Sequence, residues 1–195
     1  MKYNTSSKTP STTRYEVMEK VDFSITKKTD RDFEGIEFKQ CIFSTLAGFS
    51  FTDCVFTSCN LGNVSVANTK MQDVNFKDCK LIGINFYEVK DFGFAIQFEG
   101  CILDYASFDK KKMAKTTFTN CKMHGVNFTG TDLSKSILDN CDLVDAVFSE
   151  TNLSGADFTS SHGFHINPTL NTMKKAKFSP ENIRGLLTAF DIIIQ

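Results

Sequence analysis

The sequence predicts an all-β solenoid, in which short units stack into one long core, and two regularities lead to that prediction. Large apolar side chains (Phe, Leu or Met) recur at every fifth residue from Phe98 to Phe158. The steps between cysteines from Cys59 to Cys141 are 20, 22, 20 and 20 residues. Each unit of such a repeat buries its apolar side only by stacking on its neighbours. Four five-residue units are therefore expected to form one coil.

A smaller side chain lies two residues before each large one, and all seven cysteines occupy this small position. Stacked parallel strands lie about 4.8 Å apart, which exceeds the ~3.8 Å between the Cβ atoms of a disulfide. We therefore expect buried free thiols. In the run from Phe98 to Phe158, only Lys111 places a long charged side chain at the small position. Because burying an unpaired charge is costly, a local deformation is expected to keep Lys110, Lys111 and Lys112 in solvent.

Composition excludes several broad classes of protein. The chain has 195 residues, 41% of them hydrophobic, and a formal net charge of −1, which is enough material for one continuous core and gives no sign of a general polyanion binder. It has neither an apolar secretion signal near its beginning nor a run of eighteen apolar residues. A cytoplasmic location without membrane contact is therefore expected.

Three segments are predicted along the chain, namely a flexible polar leader at 1–14, the solenoid at 15–178 and a cap at 179–195. The five-residue register slips at two places in the solenoid. The step from Phe43 to Phe51 is eight residues, so 44–49 forms either a small bulge or a shortened side. The step from Phe86 to Phe98 is twelve residues where two units need ten, so two extra residues must bulge outward within 87–97.

The second slip contains the aromatic pair Phe92 and Phe94 on either side of Gly93. One interpretation is an outward loop that presents an aromatic ring to a partner, which makes Phe92 and Phe94 candidate binding residues. The alternative is that one or both rings fold back into the core.

The last segment is expected to begin with a short capping α-helix. Ser179 suits the N-cap, Pro180 the first helical position and Glu181 the positive end of the helix dipole. A short apolar strand at 191–195 follows. Its side chains either pack as part of the cap or form a homodimer contact, and the candidate contact residues are Leu187, Phe190, Ile192, Ile193 and Ile194.

Many units have the form small, then Asp or Asn, then Leu or Phe, as in Cys59-Asn60-Leu61 and Ala156-Asp157-Phe158. This pattern resembles the pentapeptide-repeat family. The resemblance implies a right-handed, quadrilateral parallel β-helix. The Qnr-type members are dimers joined at a C-terminal cap, and they bind DNA gyrase and topoisomerase IV by resembling duplex DNA. This chain is similar in its C-terminal segment but lacks their long excursion and is almost neutral.

The function predicted from these observations is a non-enzymatic protein-binding module or scaffold. The alternative is a Qnr-like DNA mimic that binds DNA gyrase or topoisomerase IV. That alternative depends on an outward acidic field, which would otherwise be a solvated face that maintains solubility. Its residues are Asp132, Asp139, Asp142, Asp145, Glu150 and Asp157.

Other functional classes have little support in the sequence. There is no Gly-rich phosphate loop and no metal-ligand spacing among the histidines His124, His162 and His165, so no catalytic residue, cofactor or metal is expected. Nucleic-acid binding would depend on a basic patch with little aromatic interleaving for base stacking. Its residues are Lys110, Lys111, Lys112, Lys115 and Lys122.

Overall fold

The computed structural model describes residues 15–25, 30–190 and 192–193. The predicted leader at 1–14 and the candidate dimer residue Ile194 lie outside these residues. The described strands are short: β1 (Glu16–Glu19), β2 (Asp32–Glu34), β3 (Ile36–Lys39), β4 (Ser50–Thr52), β5 (Val55–Thr57), β6 (Lys70–Gln72), β7 (Val74–Lys77), β8 (Ile96–Glu99), β9 (Thr117–Thr119) and β10 (Ile137–Asp139).

Each strand pairs in parallel with the strand of a neighbouring coil. One sheet has the order β1-β3-β5-β7-β8-β9-β10 and the other the order β2-β4-β6. Val55 pairs with Asn75, twenty residues later, and isolated bridges such as Lys122 to Asp142 keep the same step. The prediction of an all-β parallel solenoid with a twenty-residue coil is confirmed.

Phenylalanine rings fill the interior and stack along the solenoid. Phe38, Phe56, Phe76, Phe98 and Phe118 form one column, with successive ring centroids 4.9, 5.1, 5.5 and 5.1 Å apart. Their neighbours in the next column meet them edge to face, as Phe108 does with Phe118. Offset stacking and edge-to-face contact are the two favourable geometries for aromatic pairs.

The small positions supply hydrogen-bond donors to the backbone of the preceding coil. The Cys59 thiol donates to the Phe38 carbonyl oxygen at 3.3 Å, and the Thr131 hydroxyl donates to that of Phe108 at 2.8 Å. A small polar side chain therefore satisfies a carbonyl group in the interior. All seven cysteines are buried and free, as predicted.

Each coil turns at a residue with positive φ, usually two positions after an inward central residue. Asn63, Asp78 and Asn120 have φ values of 56°, 52° and 53°. Asn and Asp tolerate this left-handed conformation better than other non-glycine residues. Glycines such as Gly83 and Gly125 take the same conformation at other turns, where the lack of a Cβ atom removes its cost.

The first slip in the register is a shortened side. Asp32 pairs with Ser50 and Ile42 with Asn60, so this coil contains eighteen residues rather than twenty. Leu46 is fully buried and takes the inward central position only three residues after Phe43. Two residues are missing from this side, and the alternative of a bulge at 44–49 is wrong.

The α-helix expected after Ser179 does not form. The described part of this segment contains two short 3-10 helices, Ile183–Leu186 and Thr188–Phe190. The Gly185 carbonyl oxygen accepts a hydrogen bond from the Ile166 amide at 2.9 Å, which diverts it from an α-helical bond. A Cβ atom at residue 185 would also collide with the Phe164 carbonyl oxygen. This tertiary contact therefore overrides the helical pattern.

The segment nevertheless covers the last coil. The Asn182 side-chain amide donates to the carbonyl oxygens of Phe158 at 2.7 Å and of Ser161 at 2.9 Å. Leu186 packs against the core. These contacts satisfy carbonyl groups that no further coil would pair.

Candidate protein-binding site

The second slip forms a short outward turn at residues 91–94, which we call the excursion. Lys90 donates its amide to the Thr69 carbonyl at 2.8 Å, and Ala95 donates to that of Met71 at 3.1 Å. Both flanks therefore remain bonded to the preceding coil. Between them, the Phe94 amide donates to the Asp91 carbonyl at 3.2 Å, and Gly93 has a positive φ of 71°. The two extra residues are accommodated without breaking the stack.

The two aromatic residues of the excursion have different environments. Phe92 is 85% exposed, although both flanks of the excursion are hydrogen-bonded to the preceding coil. Phe94 is partly buried and packs against the core. Phe92 therefore faces outward, as the first interpretation expects, and Phe94 packs inward, as the alternative expects.

Lys111 fixes the excursion from inside the solenoid. It is only 2% exposed, and its ammonium group donates to the Val89 carbonyl oxygen and to an Asp91 carboxylate oxygen at 2.7 Å. The same group lies 4.9 Å from the centroid of the Phe94 ring. The prediction that all three ammonium groups of 110–112 stay in solvent is wrong for Lys111, because these partners compensate its lost hydration.

The contacts of Lys111 could have been found from the coil period. The coil that carries the excursion is 22 residues long, so the residue in register with Lys111 is Val89, whose carbonyl oxygen accepts from the Lys111 ammonium group. Asp91 lies two residues further along, at the start of the excursion. An interior lysine in register with the start of a slip that contains a carboxylate indicates an ion pair with that carboxylate. Sequence reasoning missed it because the extra residues obscured the register.

The six residues of the predicted acidic field lie in the last coils, and several of them bond to neighbouring side chains. The Asp157 carboxylate accepts from the Lys177 ammonium at 3.0 Å, and that of Asp139 accepts from the Ser160 hydroxyl at 2.8 Å. The Asp132 carboxylate accepts from the Asn152 amide at 3.0 Å. The field therefore does not present six free carboxylates.

Asp142 lies between two histidines, one in the preceding coil and one in the following coil. Its carboxylate oxygens are 2.6 Å from Nε2 of His124 and 3.5 Å from Nδ1 of His162. Partial burial raises the pKa of Asp142, but hydrogen bonds from His124 and the Val144 amide, with the nearby imidazoles, outweigh it and leave the pKa below its usual value. This carboxylate is engaged within the protein and is a poor mimic of an exposed phosphate.

The described candidate dimer residues form an exposed apolar end. Phe190, Ile192 and Ile193 are all exposed, and Leu187 is partly exposed. Neither Ile192 nor Ile193 belongs to a strand. The closing strand predicted at 191–195 therefore has no counterpart in its described residues.

The described residues contain no group of three or more His, Cys, Asp and Glu side chains arranged to hold a metal ion. Nor do they contain a helix with the length and apolar character needed to span a bilayer.

A parallel solenoid with inward central residues and small residues two positions before them defines a class of five-residue-repeat proteins. The chain matches the family described as "pentapeptide repeat region" over residues 31–108, 94–159 and 111–186. It therefore belongs to the pentapeptide-repeat family. No match is found among curated proteins.

Solved structures with a similar fold include two trypsin-treated variants of QnrB1, a plasmid-mediated fluoroquinolone resistance protein. Each is 18% identical and the alignment covers 93% of this chain and 98% of the other, with TM-scores of 0.55 and 0.51. HetL, which is involved in heterocyst differentiation regulation in the cyanobacterium Nostoc sp. strain PCC 7120, is 13% identical over 93% of this chain and 78% of its own, with a TM-score of 0.44. At these identities the likeness concerns the fold.

Proposed function

We propose that this protein is a non-enzymatic cytoplasmic binding module whose excursion presents Phe92 to a protein partner. The observation that carries the proposal is the contrast between an 85% exposed aromatic tip and the fixed turn beneath it. Aromatic residues held in advance in their binding geometry are frequent anchors of interfaces, because little conformational entropy is lost when they bind. Phe94 and Lys111 hold the turn, while Phe92 makes the contact.

Replacing Phe92 by Ala should reduce the recovery of a specific partner from cell extract by about tenfold or more, as expected for an interface anchor. Tyr105 is the matched control, since it is also an aromatic residue and is 71% exposed. Quantitative affinity capture with the wild type, Phe92→Ala and Tyr105→Ala provides the measurement. Equal recovery by all three proteins would exclude the anchor role of Phe92.

A second candidate is the inhibition or protection of a type II topoisomerase, DNA gyrase or topoisomerase IV. The exposed carboxylates of Asp139, Asp145 and Glu150 support it, together with the likeness in fold to a fluoroquinolone resistance protein. In a gyrase supercoiling assay with a quinolone, the wild type should alter the drug response, and a variant with these three residues neutralised should not. An unchanged response with the wild type would eliminate this candidate.

We further propose that two copies associate through the C-terminal segment, in which Phe190, Ile192 and Ile193 are exposed apolar residues. The predicted contact also includes the partly exposed Leu187 and Ile194, which lies outside the described residues. Contiguous exposed apolar side chains often mark a protein interface. Light scattering on the purified chain tests this proposal, and a monomer at high protein concentration would contradict it.

For the shape of the coil we propose the right-handed, four-sided form of the family. One coil makes parallel bridges at four places, each five residues after the last, and these support the four-sided shape. The bridges are those of Asn127 with Val147, Asp132 with Lys112, Ile137 with Asp157 and Asp142 with His162. An experimental structure would test it directly.

A further inference from the structure

We propose that the surface beside the excursion binds an acidic segment of the partner protein, and that a row of three lysines supplies the basic contacts. We call Lys70, Lys90 and Lys112 the lysine row. This inference rests on the proposed function, since it names the chemistry of the partner at the same site. It predicts a partner that combines an apolar contact for Phe92 with nearby carboxylates.

The lysine row occupies the same outward position in three successive coils. Lys70 pairs with Ser50 in the preceding coil, the Lys90 amide donates to the Thr69 carbonyl, and Lys112 pairs with Asp132 in the following coil. Adjacent coils are separated by about 4.8 Å. Since Lys90 directly precedes the excursion and Lys112 directly follows Lys111, the row lies beside the turn that carries Phe92.

These three ammonium groups lack the ion pairs that several other lysines make. Among the residues that the structure describes, no carboxylate lies within ion-pair distance of Lys70, Lys90 or Lys112. Asp91, the nearest acidic residue in sequence to Lys90, is bound to Lys111. The lysines that do form ion pairs with residues of neighbouring coils include Lys77 with Glu99, Lys122 with Asp104 and Lys177 with Asp157.

Like charges at directly opposed cross-strand positions destabilise a sheet. Lys90 therefore has a like charge on either side of it, in Lys70 and Lys112, and a carboxylate-bearing ligand would reduce this repulsion. Lys90 and Lys112 are exposed and Lys70 is partly exposed, so all three can reach such a ligand.

The length of the row favours a short acidic peptide segment over a nucleic acid. Three coils span roughly 10 Å, and the row is bounded by Asp132 in the following coil and by Asp32 two coils before Lys70. A continuous phosphate backbone would approach these carboxylates at either end. Single-strand binding also uses successive aromatic stacking platforms, whereas Phe92 is the single exposed ring of the excursion.

The test is a selection of random linear peptides, displayed on phage, against the immobilised full chain. The enriched peptides should contain more Asp and Glu than the unselected library. One enriched peptide is then synthesised and titrated against variants by fluorescence anisotropy. The variant Lys70→Gln/Lys90→Gln/Lys112→Gln removes the lysine row. It should bind this peptide about tenfold or more weakly, because three modest charge contacts are lost together.

The matched control removes three lysines that form ion pairs, in the variant Lys77→Gln/Lys122→Gln/Lys177→Gln. It changes the net charge equally and should alter binding by less than about twofold if local contacts dominate. Circular dichroism confirms that both variants fold. Equal losses in the two variants would show that only net charge matters and would overturn the inference.

Two further outcomes also contradict it. Enrichment of neutral or basic peptides, or of no peptides, would overturn the acidic specificity. Binding of a single-stranded DNA oligonucleotide that requires the lysine row would assign the surface to nucleic acid instead. If an enriched peptide depends on Phe92 but not on the lysines, this inference fails while the proposed function stands.

Discussion

Replacing Phe118 by Ala is expected to lower the free energy of unfolding by about 3–5 kcal/mol, the usual cost of deleting a buried aromatic ring. Phe118 is fully buried. Its ring stacks 5.1 Å from that of Phe98, and Phe108 and Phe128 meet it edge to face. The solenoid is closely packed on all sides of this residue, so the cavity can collapse only in part.

Urea unfolding followed by circular dichroism measures this loss. Phe92→Ala is the matched control, because the same ring is deleted from an exposed position and should change the free energy by less than about 0.5 kcal/mol. A similar loss in the two variants would mean that the stacked column does not stabilise the fold as described.

Replacing Asp91 by Ala is expected to destabilise the protein by about 1–3 kcal/mol, because the buried Lys111 ammonium group loses a charge-assisted hydrogen bond. The Lys111 ammonium would keep the Val89 carbonyl oxygen and the Phe94 ring but would lose its carboxylate. Lys111→Met should cost less, within about 1 kcal/mol, because an apolar side chain of similar length removes the buried charge itself. The test is therefore whether Asp91→Ala lowers the free energy of unfolding more than Lys111→Met does.

Both substitutions should also release the excursion. Hydrogen exchange at the Phe94 amide, which bonds to the Asp91 carbonyl oxygen, should accelerate in either variant while amides of β7 keep their protection. Lys112→Met, one residue away on the outer surface, is the control and should leave this exchange unchanged. If Lys111→Met destabilised the protein more than Asp91→Ala, the buried charge of Lys111 would be net stabilising and the expected order would be wrong.

The architecture was predictable to a large extent because each unit repeats the same local requirement. The inward positions of Phe118 and Leu133 follow from counting in fives, and both are fully buried. The free thiols followed from the same register and from the distance between strands. Regular counting fails only where the number of residues in a coil changes.

The environment of the excursion was less accessible to sequence reasoning. The register slip located Phe92 and Phe94 but did not distinguish them, since both are Phe beside the same Gly93. Their different exposure depends on Lys111, which lies in the next coil. The lysine row was missed for a related reason: its members are 20 and 22 residues apart and look unrelated in the linear sequence.

The sequence by itself determined the five-residue unit, the inward and outward positions, the thiol environment and hence the family, because these properties depend on a period that every unit shares. The tertiary structure decided the shortened side at Leu46, the 3-10 cap at Gly185 and the ion pair of Lys111 with Asp91. Each of these depends on which residues meet across coils of 18, 20 or 22 residues. Contacts between coils, rather than local preferences, therefore set the candidate binding surface.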